Sequence, residues 1–241
     1  MSVREGDPGH LRSPLARPPG PPLAVAFDCD GTIADTESPS LAAWSDTLTA
    51  RGVRWSVADL MSLVGRPFAD NWAVFSARGD LGDEGEFRAE IRTRFRARIE
   101  QGLEVHEDVV RSMQAAHAQG VAVAVVSSST RDHVGRVLEH AGVVDLVRLV
   151  VASGDTPAHK PAPDPYLAAC AQLGVEPDRT AAVEDTPTGA RSSRAAGLWT
   201  VAVRRAHTGV EVEQYAHLVV DVLEPGHLGL AGPDRGPSAA D

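Results

Sequence analysis

Leu23-Ala24-Val25-Ala26-Phe27-Asp28-Cys29-Asp30-Gly31-Thr32 is an unbroken apolar run that stops at two carboxylates one residue apart and then turns at Gly-Thr. Side chains alternate along a strand, so Asp28 and Asp30 are expected to share one direction while Cys29 points away into packing. The carboxyl end of such a strand is where open α/β sheets place their ligand crevices. Two like charges at this spacing repel unless a cation or a proton intervenes, and either remedy serves catalysis.

Outward from that strand, β-branched runs recur at 121–126, 146–151, 180–183, 199–203 and 218–220, with helical patterns at 108–118, 132–141 and 188–196 between them. Alternating βα units with near-continuous apolar strands predict a parallel sheet covered on both faces, a Rossmann-like α/β core. The interval 38–103 breaks the rhythm. It has helical stripes such as Phe87, Ile91, Phe95 and Ile99, with Arg88, Arg92 and Arg96 opposite, and three of the four tryptophans. It reads as an inserted helical unit whose aromatic residues form a small core of their own. The expected division is therefore a flexible Pro-rich extension over 1–22, a core over 23–37 and 104–224, a helical insert over 38–103, and a flexible Gly- and Pro-rich tail over 225–241.

The chain has 241 residues, 43% of them apolar, and a formal net charge of −10. That acidity argues against a nucleic-acid or anionic-membrane binder. No apolar run reaches the roughly 18 residues that span a bilayer. Two cysteines, Cys29 and Cys170, imply no disulfide framework, so a cytoplasmic location is expected. Monomer and dimer both stay open.

Among the 23 basic residues Lys160 is the single lysine, in a chain that otherwise uses arginine. It lies in the rigid loop His159-Lys160-Pro161-Ala162-Pro163-Asp164-Pro165, which opens an amphipathic helix. A compact ammonium bridges a carboxylate and a phosphate where a planar guanidinium needs more room. Two more strands run into polar ends. The one at 121–126 meets Ser127-Ser128-Ser129-Thr130, whose hydroxyls and following helix N-terminus suit an anion, although the same residues are common helix caps. The one at 180–183 meets Glu184-Asp185-Thr186-Pro187-Thr188-Gly189, adjacent carboxylates of the kind Mg²⁺ takes with water and substrate oxygens.

Together these segments resemble the four motifs of the haloacid dehalogenase superfamily, and 23–203 resembles its β-phosphoglucomutase-like, CbbY-like branch with a helical cap. The resemblance implies that Asp28 is the nucleophile and Asp30 the general acid and base. It further implies that Ser127 and Ser128 bind the phosphoryl group and that Lys160 holds it beside Asp28. Mg²⁺ would be bound by Asp28, Asp30 through its backbone carbonyl, Asp185, and Glu184 directly or through water. Arg66, on the Gly65-Arg66-Pro67 turn of the cap, is a candidate substrate contact. Counting charges, four carboxylates against Mg²⁺ and Lys160 leave a shortfall of one proton, which is expected on Asp30.

The implied activity is a Mg²⁺-dependent phosphatase that hydrolyses a small phosphorylated metabolite through an aspartyl phosphate. The nearest rival is a sugar phosphomutase of the β-phosphoglucomutase type. Ser40 stands where that type carries a cap-coupling histidine, and Gly65-Arg66-Pro67-Phe68 replaces its Gly-x-Ser-Arg cap pattern. A rival of another class is a non-catalytic protein that binds phosphometabolites or acts as a scaffold.

Overall fold

The structure is a computed structural model, which describes residues 20–231 apart from residues 62, 64–67 and 207. The calls on 1–19, on 232–241 and on Arg66 therefore lie outside the described residues.

Strand β1 (Ala24–Phe27) is completely buried. It pairs in parallel with β4 (Ala122–Val126) on one side and β6 (Thr180–Glu184) on the other. With β5 (Leu149–Val151), β7 (Trp199–Val203) and β8 (Leu218–Val220) it makes an all-parallel six-stranded sheet in the order β5-β4-β1-β6-β7-β8. Sequence placed the β5 run at 146; the chain instead makes a 3₁₀ turn at Val144–Leu146 and becomes extended at Leu149. The sheet is an α/β Rossmann-like core of the predicted kind.

Its two faces are covered as continuous apolar strands require. Val25, Phe27 and Cys29 pack with helices α5 (Glu107–Ala118) and α6 (Arg131–Ala141) through Val109, Met113, Val134 and Val137. The intervening Ala26, with Ala124, Val126 and Ala182, faces α7 (Asp164–Leu173) through Tyr166, Ala169 and Cys170. Helix α8 (Pro187–Ala195) seals the far end through Ala190 against Ala202 and Val212.

Between β1 and α5 the chain leaves the sheet and returns. Two-residue strands β2 (Ala34–Asp35) and β3 (Glu104–Val105) pair antiparallel where it crosses, a feature too short to be visible in the sequence pattern. Between them lie α1 (Glu37–Ala50), α2 (Val57–Met61), α3 (Phe68–Ser76) and α4 (Glu84–Gln101). Their own core joins Ala43, Leu48, Phe75, Phe87 and Ile91, with Trp44, Trp55, Trp72 and Phe95 against it. Helix α4 starts where Asp83 accepts a hydrogen bond from Glu86 N at 3.0 Å, with Glu84 and Glu86 complementing the positive end of the helix.

The expected flexible tail needs a correction. Pro225–Leu228 forms a 3₁₀ turn, and Leu228 and Leu230 are buried in the same core as Phe27 and Met113. Gly and Pro dominate the local composition, but those two leucines gain roughly 1.5–3 kcal/mol each by burial, which holds the segment down.

Candidate active site

Parallel pairing brings the polar ends of β1, β4 and β6 to one edge. Phe27 is level with Val125 and Val183, so Asp28 and Glu184 leave the sheet side by side, with Ser127 one position further along β4. Asp28 N donates to Val183 O and Ser127 N to Val151 O, both at 2.9 Å, so the ladder extends through the reactive residues. Gly31 then turns the chain with φ of 77°. A Cβ there would lie 2.3 Å from Asp185 Oδ2, so glycine is required twice over.

Lys160 sits at the centre of the buried half of the site. Its Nζ donates to Asp28 Oδ1 at 2.6 Å, Glu184 Oε1 at 2.7 Å and Val126 O at 2.8 Å, and the side chain is only 5% exposed. Burial opposes the ammonium charge, yet Asp28 and Glu184 outweigh it and hold the amine well above its ordinary range. Tyr166, on helix α7 that follows the lysine loop, also donates its hydroxyl to Glu184 Oε1. Asp185 Oδ1 accepts from Thr32 Oγ1 at 3.1 Å.

Asp28, Glu184 and Asp185 each offer an oxygen, and these atoms lie within 4.8 Å of one another. Glu184 Oε2 is buried without a hydrogen-bond partner. Burial, only partly offset by Lys160, together with the charges of Glu184 and Asp30, pushes the Asp28 carboxyl up to about 7. Asp185 is raised well above the carboxylate range by burial and by its acidic neighbours. Crowded oxygens, one without a partner, fit a hard divalent cation, which would stabilise the ionised forms.

Asp30 shares the crevice but not these partners. Its Oδ2 accepts from Ser129 Oγ at 2.7 Å and lies 3.3 Å from Ser127 Oγ, and its Oδ1 lies 2.6 Å from His133 Nε2. Burial pushes its pKa up, but His133, Ser129 and Thr36 together prevail and hold it down at about 2. Asp30 in turn raises His133 against the effect of burial. In this arrangement Asp30 is held ionised, against the proton that charge counting put on it, and its side chain stands outside the acidic trio.

Ser128 is exposed at the rim next to Ser127. Ser129, expected to be an alternative helix cap, instead bonds Asp30, and Thr130 caps α6 by accepting from His133 N. Sequence reasoning missed His133 altogether. One signal was there: it occupies the first turn of a helix, where a cation opposes the dipole unless a carboxylate compensates. Its ring also stacks on Phe95 of α4, with centroids 5.5 Å apart.

A haloacid dehalogenase-like hydrolase family model matches residues 22–197. Validoxylamine A 7'-phosphate phosphatase of Streptomyces hygroscopicus subsp. limoneus is 28% identical over 88% of this chain and 97% of its own length. Fructose-1-phosphate phosphatase YqaB of Escherichia coli K12 is 30% identical over 75% of this chain and 95% of its own. Among solved structures, CbbY from Rhodobacter sphaeroides in complex with phosphate superposes with a TM-score of 0.72 at 24% identity, covering 83% of this chain and 94% of that one, and shows the shared fold.

Proposed function

This chain belongs to the haloacid dehalogenase-like hydrolase family and is a phosphomonoester hydrolase, and we propose that it releases phosphate from a small phosphorylated metabolite, such as a sugar phosphate, by way of an aspartyl phosphate. The observation that carries the reading is Lys160, the sole lysine, buried between Asp28 and Glu184 at the sheet edge where Ser127 also emerges.

In the first step an Asp28 carboxylate oxygen attacks phosphorus in line, and the bond to the ester oxygen breaks. Lys160 fixes Asp28 through Oδ1 and supplies positive charge beside the phosphoryl oxygens, while Ser127 offers its hydroxyl and the exposed Ser128 its backbone N–H. A negative phosphate beside Asp30 would favour its protonated form, and Asp30 gives that proton to the departing oxygen. In the second step a water oxygen attacks phosphorus, its proton passes to Asp30, and the Asp28–phosphorus bond breaks. Mg²⁺, held by Asp28, Asp185, Glu184 and the Asp30 carbonyl, would supply charge stabilisation to the phosphoryl oxygens. The helical insert would act as the cap that selects the leaving group and excludes water.

The test is phosphate release from a panel of phosphorylated metabolites, with and without Mg²⁺, by wild type and Asp28→Asn, together with an isomerisation assay on a hexose 1-phosphate. Mg²⁺-dependent release that falls at least about 10³-fold in the variant is expected, since removing the nucleophile removes the covalent route. Release that persists in Asp28→Asn, or isomerisation without release, would overturn the reading.

A further inference from the structure

The mechanism above uses Asp30 as acid and base but leaves open what places its carboxyl. On one side Ser129, at 2.7 Å, and Ser127, at 3.3 Å, hold Oδ2, Thr36 is a further hydrogen-bond partner, and His133 holds Oδ1. The imidazole is only 13% exposed. Its ring is stacked by Phe95, with the planes 28° apart, and Phe95 belongs to the apolar core of the insert. The seam continues on either side, where Arg96 of α4 meets Asp132 of α6 at 3.1 Å and Arg136 of α6 comes within 3.8 Å of Glu100. One ring therefore touches the insert on one side and the acid/base carboxyl on the other. Packing alone does not call for a histidine here, because the N-terminal turn of a helix disfavours a cation.

Resting on the reading of Asp30 as acid and base, we propose that His133 is its positioning residue, aiming the carboxyl at the leaving oxygen, and that Phe95 makes the placement of the helical insert part of that aim. His133→Phe keeps the stack and removes the hydrogen bond. His133→Gln keeps a donor near the Nε2 position. Phe95→Ala removes the stack and part of the insert's own packing but leaves the hydrogen bond.

The experiment measures kcat and KM of the full chain on an alkyl phosphate and on p-nitrophenyl phosphate, whose leaving group departs without a proton. His133→Phe is expected to lower kcat on the alkyl phosphate about 10- to 100-fold with KM little changed, part of the usual contribution of a placed acid. The loss is smaller on p-nitrophenyl phosphate, His133→Gln recovers much of it, and Phe95→Ala gives a weaker loss of the same selectivity. Adding Phe95→Ala to His133→Phe costs little more, because both act through one ring. Equal losses on both esters, or no rescue by glutamine, would overturn the positioning role, and additive losses would overturn the part assigned to Phe95.

A second readout does not depend on turnover. The NMR signal of His133 Nε2 is expected to shift in Asp30→Asn and in Phe95→Ala. If wild type hydrolyses neither ester, the hydrolase reading fails and these shifts still decide the contact. Signals that stay put in both variants overturn the proposal.

Discussion

Asp28 and Asp30, two residues apart, affect stability in opposite directions as pH changes. Asp28 titrates at about 7 in the folded chain against an ordinary 3.8, so between those values the folded state holds a proton that the unfolded chain has released. Stability therefore falls as pH rises from about 4 to about 7. Glu37, raised to about 7 by burial and by Asp30 and Asp35, adds the same sign. Asp30, held at about 2, stabilises above its unfolded value and loses that contribution as pH falls through about 2. In a chelating buffer the melting temperature is expected to drop between pH 4 and 7, and Mg²⁺ added at pH 7 is expected to restore it by favouring the ionised trio. Differential scanning fluorimetry checks this, and a flat profile that ignores Mg²⁺ would refute it. At this scale the sequence was legible where chemistry is local. Asp28 and Asp30 announce themselves by following an apolar strand, and Lys160 by being the exception to an arginine habit. His133 was not legible because its partner lies 103 positions away, and its neighbours look like any helix start.

Helices carry the same substitution differently depending on what lies over them. Gly135, within α6, has nothing within 4 Å of a built Cβ, whereas a Cβ on Gly189 of α8 would lie 1.9 Å from Glu184 Oε2. Gly135→Ala is expected to stabilise by about 0.5–1 kcal/mol through helix propensity. In Gly189→Ala the overpacking cost of about 1–3 kcal/mol exceeds that gain, because Lys160 and Tyr166 already pin the other oxygen of Glu184. Urea denaturation should show the two alanines with opposite signs, and phosphatase activity should fall only for the second. Long elements such as α4 and the buried strands were readable because several repeats of a period identify them. β2 and β3, two residues each, contain no period to read, and Leu228 and Leu230 were hidden in a stretch whose glycines and prolines suggested freedom.

Across the molecule, the insert and the sheet have separate apolar cores joined by the chain crossings at β2 and β3 and by the α4–α6 seam. Separate cores permit separate opening. Amides of α1 and α4 are expected to exchange with deuterium faster than those of β1, β4 and β6. Phe87→Ala, which removes a fully buried ring at a cost of about 3–5 kcal/mol, should speed exchange in α1 and α4 and leave β1 unchanged. Exchange of insert and sheet at one common rate would show a single cooperative unit instead. No helix among the described residues is long and apolar enough to cross a membrane.

The solitary lysine has one more consequence. Apart from the amino terminus, Lys160 is the chain's only primary amine, and folding locks it as an ammonium between Asp28 and Glu184. Acylating reagents need an accessible, unprotonated amine, so in the folded enzyme Lys160 is closed to amine-directed coupling. A label on Lys160 would mark molecules whose active site had come open.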